Sequence, residues 1–223
     1  MHNSLKLLLT VVTLSLSLSG CSNKNTLNFI DKSYKTERIT VDLQIPQFTS
    51  LKDKELQDRL NEEISQTCME FLGKFKSASE GISSPSVFVA ETTEYEKGGL
   101  LSLVTQIDYY TQKPHNNSFR VAKTINTATS TELTLKDFFE GDAYIDRINA
   151  TLSDIAKKNP DNYSGLWAKP QLSENQDFYI TDDALVIYFP PYELSYYARG
   201  FVEFAIPLSE LSGYMTEEYR QML

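Results

Sequence analysis

Two adjacent prolines, Pro190 and Pro191, cut through the densest hydrophobic segment of the chain, Asp177 to Ser209. Neither residue can donate to a strand ladder, so any strand entering this point must stop there. Three apolar runs surround the break: Phe178–Ile180, Leu185–Phe189 and Phe201–Ile206. Thr181-Asp182-Asp183-Ala184 separates the first two and reads as a turn, because Asp side chains can cap nearby backbone N–H groups. The segment is therefore predicted to form the centre of a sheet. Between the prolines and the third run lie Tyr192, Tyr196 and Tyr197 on a loop.

The preceding chain alternates between strand and helix periods. Ile39, Val41, Leu43 and Ile45 alternate with polar residues and predict a strand over Tyr34 to Ile45 that Pro46 ends. Ser50-Leu51-Lys52-Asp53 reads as a helix start with an acidic residue in the first turn. Leu56, Leu60, Ile64, Cys68, Phe71 and Phe75 recur every three or four residues and predict a helix to about Ser77. Ser86 to Glu96 and Leu100 to Tyr110 are two strands joined at Lys97-Gly98-Gly99, a hairpin signal. Phe119 to Asn126 is a further strand, and Thr134-Leu135-Lys136-Asp137 has the form of a capping box. Ile145, Ile148, Leu152 and Ile155 mark a second amphipathic helix ending near Lys158. The order implies an α+β fold, antiparallel sheets with two main helices packed on them. Residues 34–128 and 129–223 are expected as two modules that share a core.

The N-terminus has a different character. Leu7 to Leu18 is apolar but too short to span a bilayer, which takes about 20 residues. It ends in Leu18-Ser19-Gly20-Cys21, which resembles the lipobox of bacterial lipoproteins. That resemblance implies removal of residues 1–20, a diacylglycerol on the Cys21 thiol, and an extracytoplasmic protein anchored to a bacterial membrane. The alternatives are an ordinary signal peptidase site or an uncleaved anchor. Residues 21–33 are expected to be a tether. Cys68 is then the one remaining thiol, so no intramolecular disulfide can form.

Lys plus Arg is 21 and Asp plus Glu is 30, a net charge of −9. Such a balance disfavours nucleic acid, whose phosphates need a basic face, and suits a basic protein partner. Acidity also simply keeps a protein soluble. Among candidate functional residues, Tyr192, Tyr196, Tyr197 and Trp167 form a possible aromatic contact surface, since Tyr and Trp order at little entropic cost. Glu193 follows the strand end and reads either as a general acid or base or as a loop pin. His115 is the only His beyond the leader, so no zinc triad can be built from His. No nucleophile elbow, phosphate loop or His–Cys pairing is present, and no cofactor or metal is expected.

Two stretches resemble known families. Ile39 to about Tyr110, opening ITVDLQIPQF and continuing through LNEEI, looks like the small domain at the N-terminus of peptidoglycan deacetylases of the PdaC type. Thr131 to Leu211 resembles the distal domain of lysozyme-sensing anti-sigma factors of the RsiV type, through ELTLKDFF, FYITDDALVIYFPPYELSYYARG and EFAIPLSEL. The resemblance implies a surface module that binds lysozyme or another wall-associated ligand, such as a peptidoglycan fragment. This chain departs from those families in carrying neither a sigma-binding segment nor a deacetylase domain, and is expected to be neither anti-sigma factor nor enzyme. The family's Gly-Gly-Ala-His-Gly turn reads here Gln112-Lys113-Pro114-His115-Asn116, with the His kept and the glycines lost. The competing readings are an accessory wall enzyme acting through Glu193 and a structural envelope lipoprotein.

Overall fold

The computed structural model describes residues 26–111 and 117–223. The leader, Cys21 and His115 lie outside the described residues. In chain order the elements are β1 (Leu27–Asp31), β2 (Tyr34–Lys35), β3 (Ile39–Phe48), α1 (Lys54–Ser79), β4 (Ser86–Lys97), β5 (Leu100–Tyr110), β6 (Asn117–Asn126) and β7 (Thr131–Glu132). A 3-10 turn at Leu135–Phe138 leads to α2 (Ala143–Lys158) and α3 (Pro160–Tyr163). Then follow β8 (Phe178–Ile180), β9 (Ala184–Phe189), β10 (Val202–Pro207), α4 (Leu208–Leu211) and α5 (Glu217–Met222).

The fold is α+β with two sheets. The larger runs β1-β3-β4-β5-β6-β7, with β2 also on β3; the smaller runs β10-β9-β8. β9, buried at all six positions, is the middle strand of the smaller sheet and stops at Phe189, as the double proline requires. One pairing departs from the antiparallel expectation. β3 and β4 are parallel, Ile39 opposite Ser86 through Leu43 opposite Ala90. The long helix α1 connects them as a crossover and covers one face of the sheet.

Three local expectations are corrected. The expected tether is not free along its whole length, because Leu27–Asp31 pairs antiparallel with β3. Pro46 does not end β3, which continues to Phe48. The bonds from Thr49 N to Thr26 O and from Lys32 N to Leu43 O fix the alternation along β1 and β3. They put the Phe29–Pro46 pair at a site without hydrogen bonds, so the missing proline N–H costs the ladder nothing. Asp53 is the N-cap of α1 rather than a residue of its first turn. Its carboxylate accepts from Leu56 N at 3.0 Å.

The apolar interior is in two clusters. Leu60, Ile64, Cys68, Leu72 and Phe75 of α1 pack on Val41, Leu43, Phe88, Leu101, Leu103 and Ile107. The other cluster gathers Phe138, Ile148, Leu152, Ile187, Phe189, Phe204, Ile206 and Leu211, and Leu100 joins it. β5 thus serves both, odd residues facing α1 and Leu100 facing the other way, as a strand's two-residue period dictates. The seam is polar as well as apolar. Ile180 N donates to Ser102 Oγ at 3.0 Å, and Lys97 Nζ to Asp182 O at 2.8 Å. The β4–β5 hairpin tip also presses against α5. A Cβ built on Gly98, whose φ is +59°, would lie 2.1 Å from the Met222 carbonyl oxygen.

Candidate functional site

Past Phe189 the chain cannot extend the sheet, and it folds into a tight loop. Glu193 N donates to Pro190 O at 3.1 Å, closing the turn over the two prolines. Tyr192 takes φ +74°, a left-handed conformation costly for a residue with a Cβ. Leu194 and Ser195 plunge inward, 4% and 2% exposed. A short 3-10 turn, Tyr197–Arg199, brings the chain back, and Gly200 at φ +73° redirects it into β10.

The segment after α3 is sewn onto this loop. Trp167 N donates to Leu194 O at 3.0 Å and its indole N–H to Glu193 O at 3.1 Å. Ser195 Oγ donates to Gly165 O at 3.2 Å, and the Arg199 guanidinium to Ser164 O at 2.7 Å. With the backbone so tied, three large rings still point outward. Trp167, Tyr192 and Tyr196 are 57%, 60% and 53% exposed, whereas Tyr188 on β9 is 1% exposed. Tyr197 is half-buried beneath them, its ring 5.1 Å from that of Tyr192. Its hydroxyl accepts from Ser118 N at 2.9 Å, which joins the loop to the start of β6. The arrangement presents exposed aromatic rings on a loop fixed by backbone hydrogen bonds, suited to the apolar face of a sugar ring or to a protein surface.

Glu193 stands exposed beside these rings. Withdrawal of solvent, with the nearby Asp177 carboxylate, holds its pKa above the usual carboxylate value. Its backbone carbonyl, rather than its carboxylate, pins the loop by accepting from Trp167. At the Thr181–Ala184 turn the cap is Thr181, not either aspartate: Thr181 Oγ1 accepts from Ala184 N at 3.1 Å. Cys68 is fully buried on the apolar face of α1, and burial pushes its thiol up to about 11. Among the described residues, no three His, Cys, Asp or Glu side chains are placed to hold a metal ion, and no helix is long and apolar enough to cross a membrane.

One polar centre was not visible in the sequence. Arg120 of β6 reaches between the sheets, 12% exposed at its side chain. It pairs with Glu203 of β10 and donates from Nε to Gln106 Oε1 at 2.9 Å. Its guanidinium lies 4.4 Å from the Phe201 ring centre and 4.9 Å from that of Tyr188. Tyr179 donates to the same Glu203 carboxylate at 3.2 Å, and burial chiefly raises its own phenol to about 12. The partners lie 83 residues apart, beyond any local pattern; only the position of Glu203 within the EFAIPLSEL stretch hinted at a role.

Comparison with known proteins gives a consistent picture. Residues 32–127 match the family described as deacetylase PdaC, and residues 136–209 match the family described as a protein of unknown function (DUF3298). Anti-sigma-V factor RsiV of Bacillus subtilis (strain 168) is 28% identical over 211 residues, covering 86% of this chain and 71% of RsiV. The crystal structure of a DUF3298 family member from Bacteroides fragilis superposes with a TM-score of 0.58 at 19% identity, covering 87% of this chain and 96% of that one. A DUF3298 family protein from Pseudomonas aeruginosa PAO1 gives 0.58 at 18%, covering 86% and 95%. These two structures share the fold.

Proposed function

We propose that this RsiV-like chain, with its PdaC-type small domain, is an extracytoplasmic binding module rather than an enzyme. It is held to a bacterial membrane by lipid on Cys21, and it recognises lysozyme or another wall-associated ligand. The observation that carries this reading is the aromatic face. Trp167, Tyr192 and Tyr196 are held outward by a loop whose backbone is bonded at Glu193, Leu194 and Gly165. A contact surface prepared in advance loses little entropy on binding. The net charge of −9 adds attraction to a strongly basic protein.

Calorimetric titration of the full chain in neutral detergent micelles with lysozyme tests it. One-to-one binding that weakens with salt is expected, with Tyr192→Ala and Tyr196→Ala each losing affinity while the fold persists. Absence of heat and of co-elution at high concentration removes lysozyme as the ligand, and unchanged affinity in both variants removes the loop as the site.

A further inference from the structure

The larger sheet ends on an unfinished edge. In β6, the bonds Leu133 N to Thr124 O and Ser118 N to Tyr197 OH show that even-numbered residues turn their backbone groups away from β5. Those two bonds cap the edge at either end. Between them, the outward N–H and C=O of Arg120 and Ala122 have no protein partner among the described residues. β7 pairs only with Ile125 and Asn126, too far along to cover them.

The space beside this edge is open. A cleft of about 810 Å³ lies on one side of Ala122, toward α2 and the 172–178 segment. A second of about 410 Å³ lies on the other, toward α1, and both include Ala122, Lys123 and Asp177. The two basic side chains of the edge do not fill it. Arg120 is drawn between the sheets to Glu203, and Lys123 is held by Glu63 and Glu132 at 2.8 Å each. The clefts are also lined by Asp142, Glu174 and Asp177, none of which forms an ion pair among the described residues, against one further cation, Lys136. Glu70 adds a fourth carboxylate, shared with Lys74 on the exposed side of α1.

We propose that this edge is a strand-addition groove, distinct from the aromatic loop, for an extended segment of a partner protein carrying alternating basic residues. Its main chain pairs with Arg120 and Ala122, and its cations meet Asp177, Glu174 and Asp142. Main-chain bonds supply the affinity in such grooves, and alternate side chains supply the selectivity. Carboxylates without an ion pair outnumber the remaining cation of the clefts and select a cationic strand over an acidic one.

The probe is a fluorescein-labelled peptide of four Lys-Val repeats, blocked at both ends, titrated against the full chain in neutral detergent micelles. Saturable binding is expected, with slowed hydrogen exchange at the Arg120 and Ala122 amides. A Glu-Val peptide and a Lys-Val peptide N-methylated at alternate residues should each bind at least about tenfold more weakly, the equivalent of one or two lost hydrogen bonds. Ala122→Pro deletes an outward amide without touching the β5 ladder and should have a similar effect. Should that variant misfold, the N-methylated peptide carries the same test. Asp177→Asn with Glu174→Gln should weaken binding severalfold. Equal binding of the acidic peptide, or unaltered exchange at Arg120 and Ala122, overturns the proposal. Protection of those amides without peptide, accompanied by dimerisation, would assign the edge to a second copy of the chain and overturn it equally.

Discussion

The two apolar clusters are built by different means. Around α1 the interior is made of long regular elements, a 26-residue helix against strands of ten to twelve residues. Around β9 the strands are three to six residues long, and close aromatic pairs hold them together: Tyr163 stacked on Phe204 at 4.6 Å, Phe139 stacked on Tyr144 at 4.4 Å, and Phe138 tilted against Tyr219 at 4.7 Å. The first is a platform, and the second carries the loop with the outward rings. Short strands joined by irregular connections leave room for such a loop, which a regular sheet does not. The seam along β5 decides whether the two behave as one.

The largest effect should come from hollowing out either cluster. Phe75→Ala and Phe204→Ala should each cost about 3–5 kcal/mol. Calorimetry should still show one unfolding transition for both, because Leu100 and Leu101 tie the clusters to adjacent positions of one strand. Two separated transitions would break the comparison into two independent units. Next is the seam itself. Gly98→Ala adds a Cβ against the Met222 backbone at a positive φ and should cost about 2–3 kcal/mol. In that variant the two clusters should begin to melt apart, read by Trp167 fluorescence against far-ultraviolet dichroism.

A smaller, pH-dependent effect belongs to the platform. Arg59 and Lys123 bridge Glu63 and Glu132 in a closed ring. The bond from Lys123 chiefly lowers the Glu63 pKa; at Glu132 burial pushes upward, but the bonds from Lys123 and Arg59 outweigh it. Carboxylates lowered on folding stabilise the protein above their unfolded pKa and lose that contribution as pH falls through the folded value. Lys123→Met should therefore cost about 1 kcal/mol at neutral pH, and the gap to the parent should close in acid. Denaturant titrations at pH 7 and pH 3 check it. The smallest change in stability is expected on the loop. Tyr192→Gly relieves the positive φ but gives up the ring contact with Tyr197, so the net change should stay within about 0.5 kcal/mol. Affinity for lysozyme, the ligand proposed above, should nevertheless drop about tenfold. A variant equally stable and equally tight would show that the strain serves no contact.

The same contrast explains what could be read from the sequence. The helix periods at Leu60, Ile64 and Cys68, the Gly98-Gly99 hairpin and the stop at Pro190 are local signals, and each appears where expected. β1 escaped notice because LNFID has no clean alternation and becomes a strand only through pairing with β3. Parallel pairing of β3 and β4 is a choice among topologies and leaves no mark on either strand. At the site, the tyrosines announced themselves, and Trp167 could be grouped with them by type. Its bond to Glu193 spans 26 residues and had no local trace. Arg120 looked like any surface charge on an edge strand, and its burial follows only from where Glu203 and Phe201 arrive.

The buried thiol of Cys68 has a practical consequence. Alkylating reagents attack the thiolate, and at 0% exposure this one is sealed under α1 with its ionisation suppressed. Labelling can then proceed only during moments when the helix lifts from the sheet. The rate of modification is a clock for that opening, readable by mass spectrometry on the purified protein without any engineered probe. Slower labelling in the presence of a ligand would report binding through the platform, whichever face the ligand occupies.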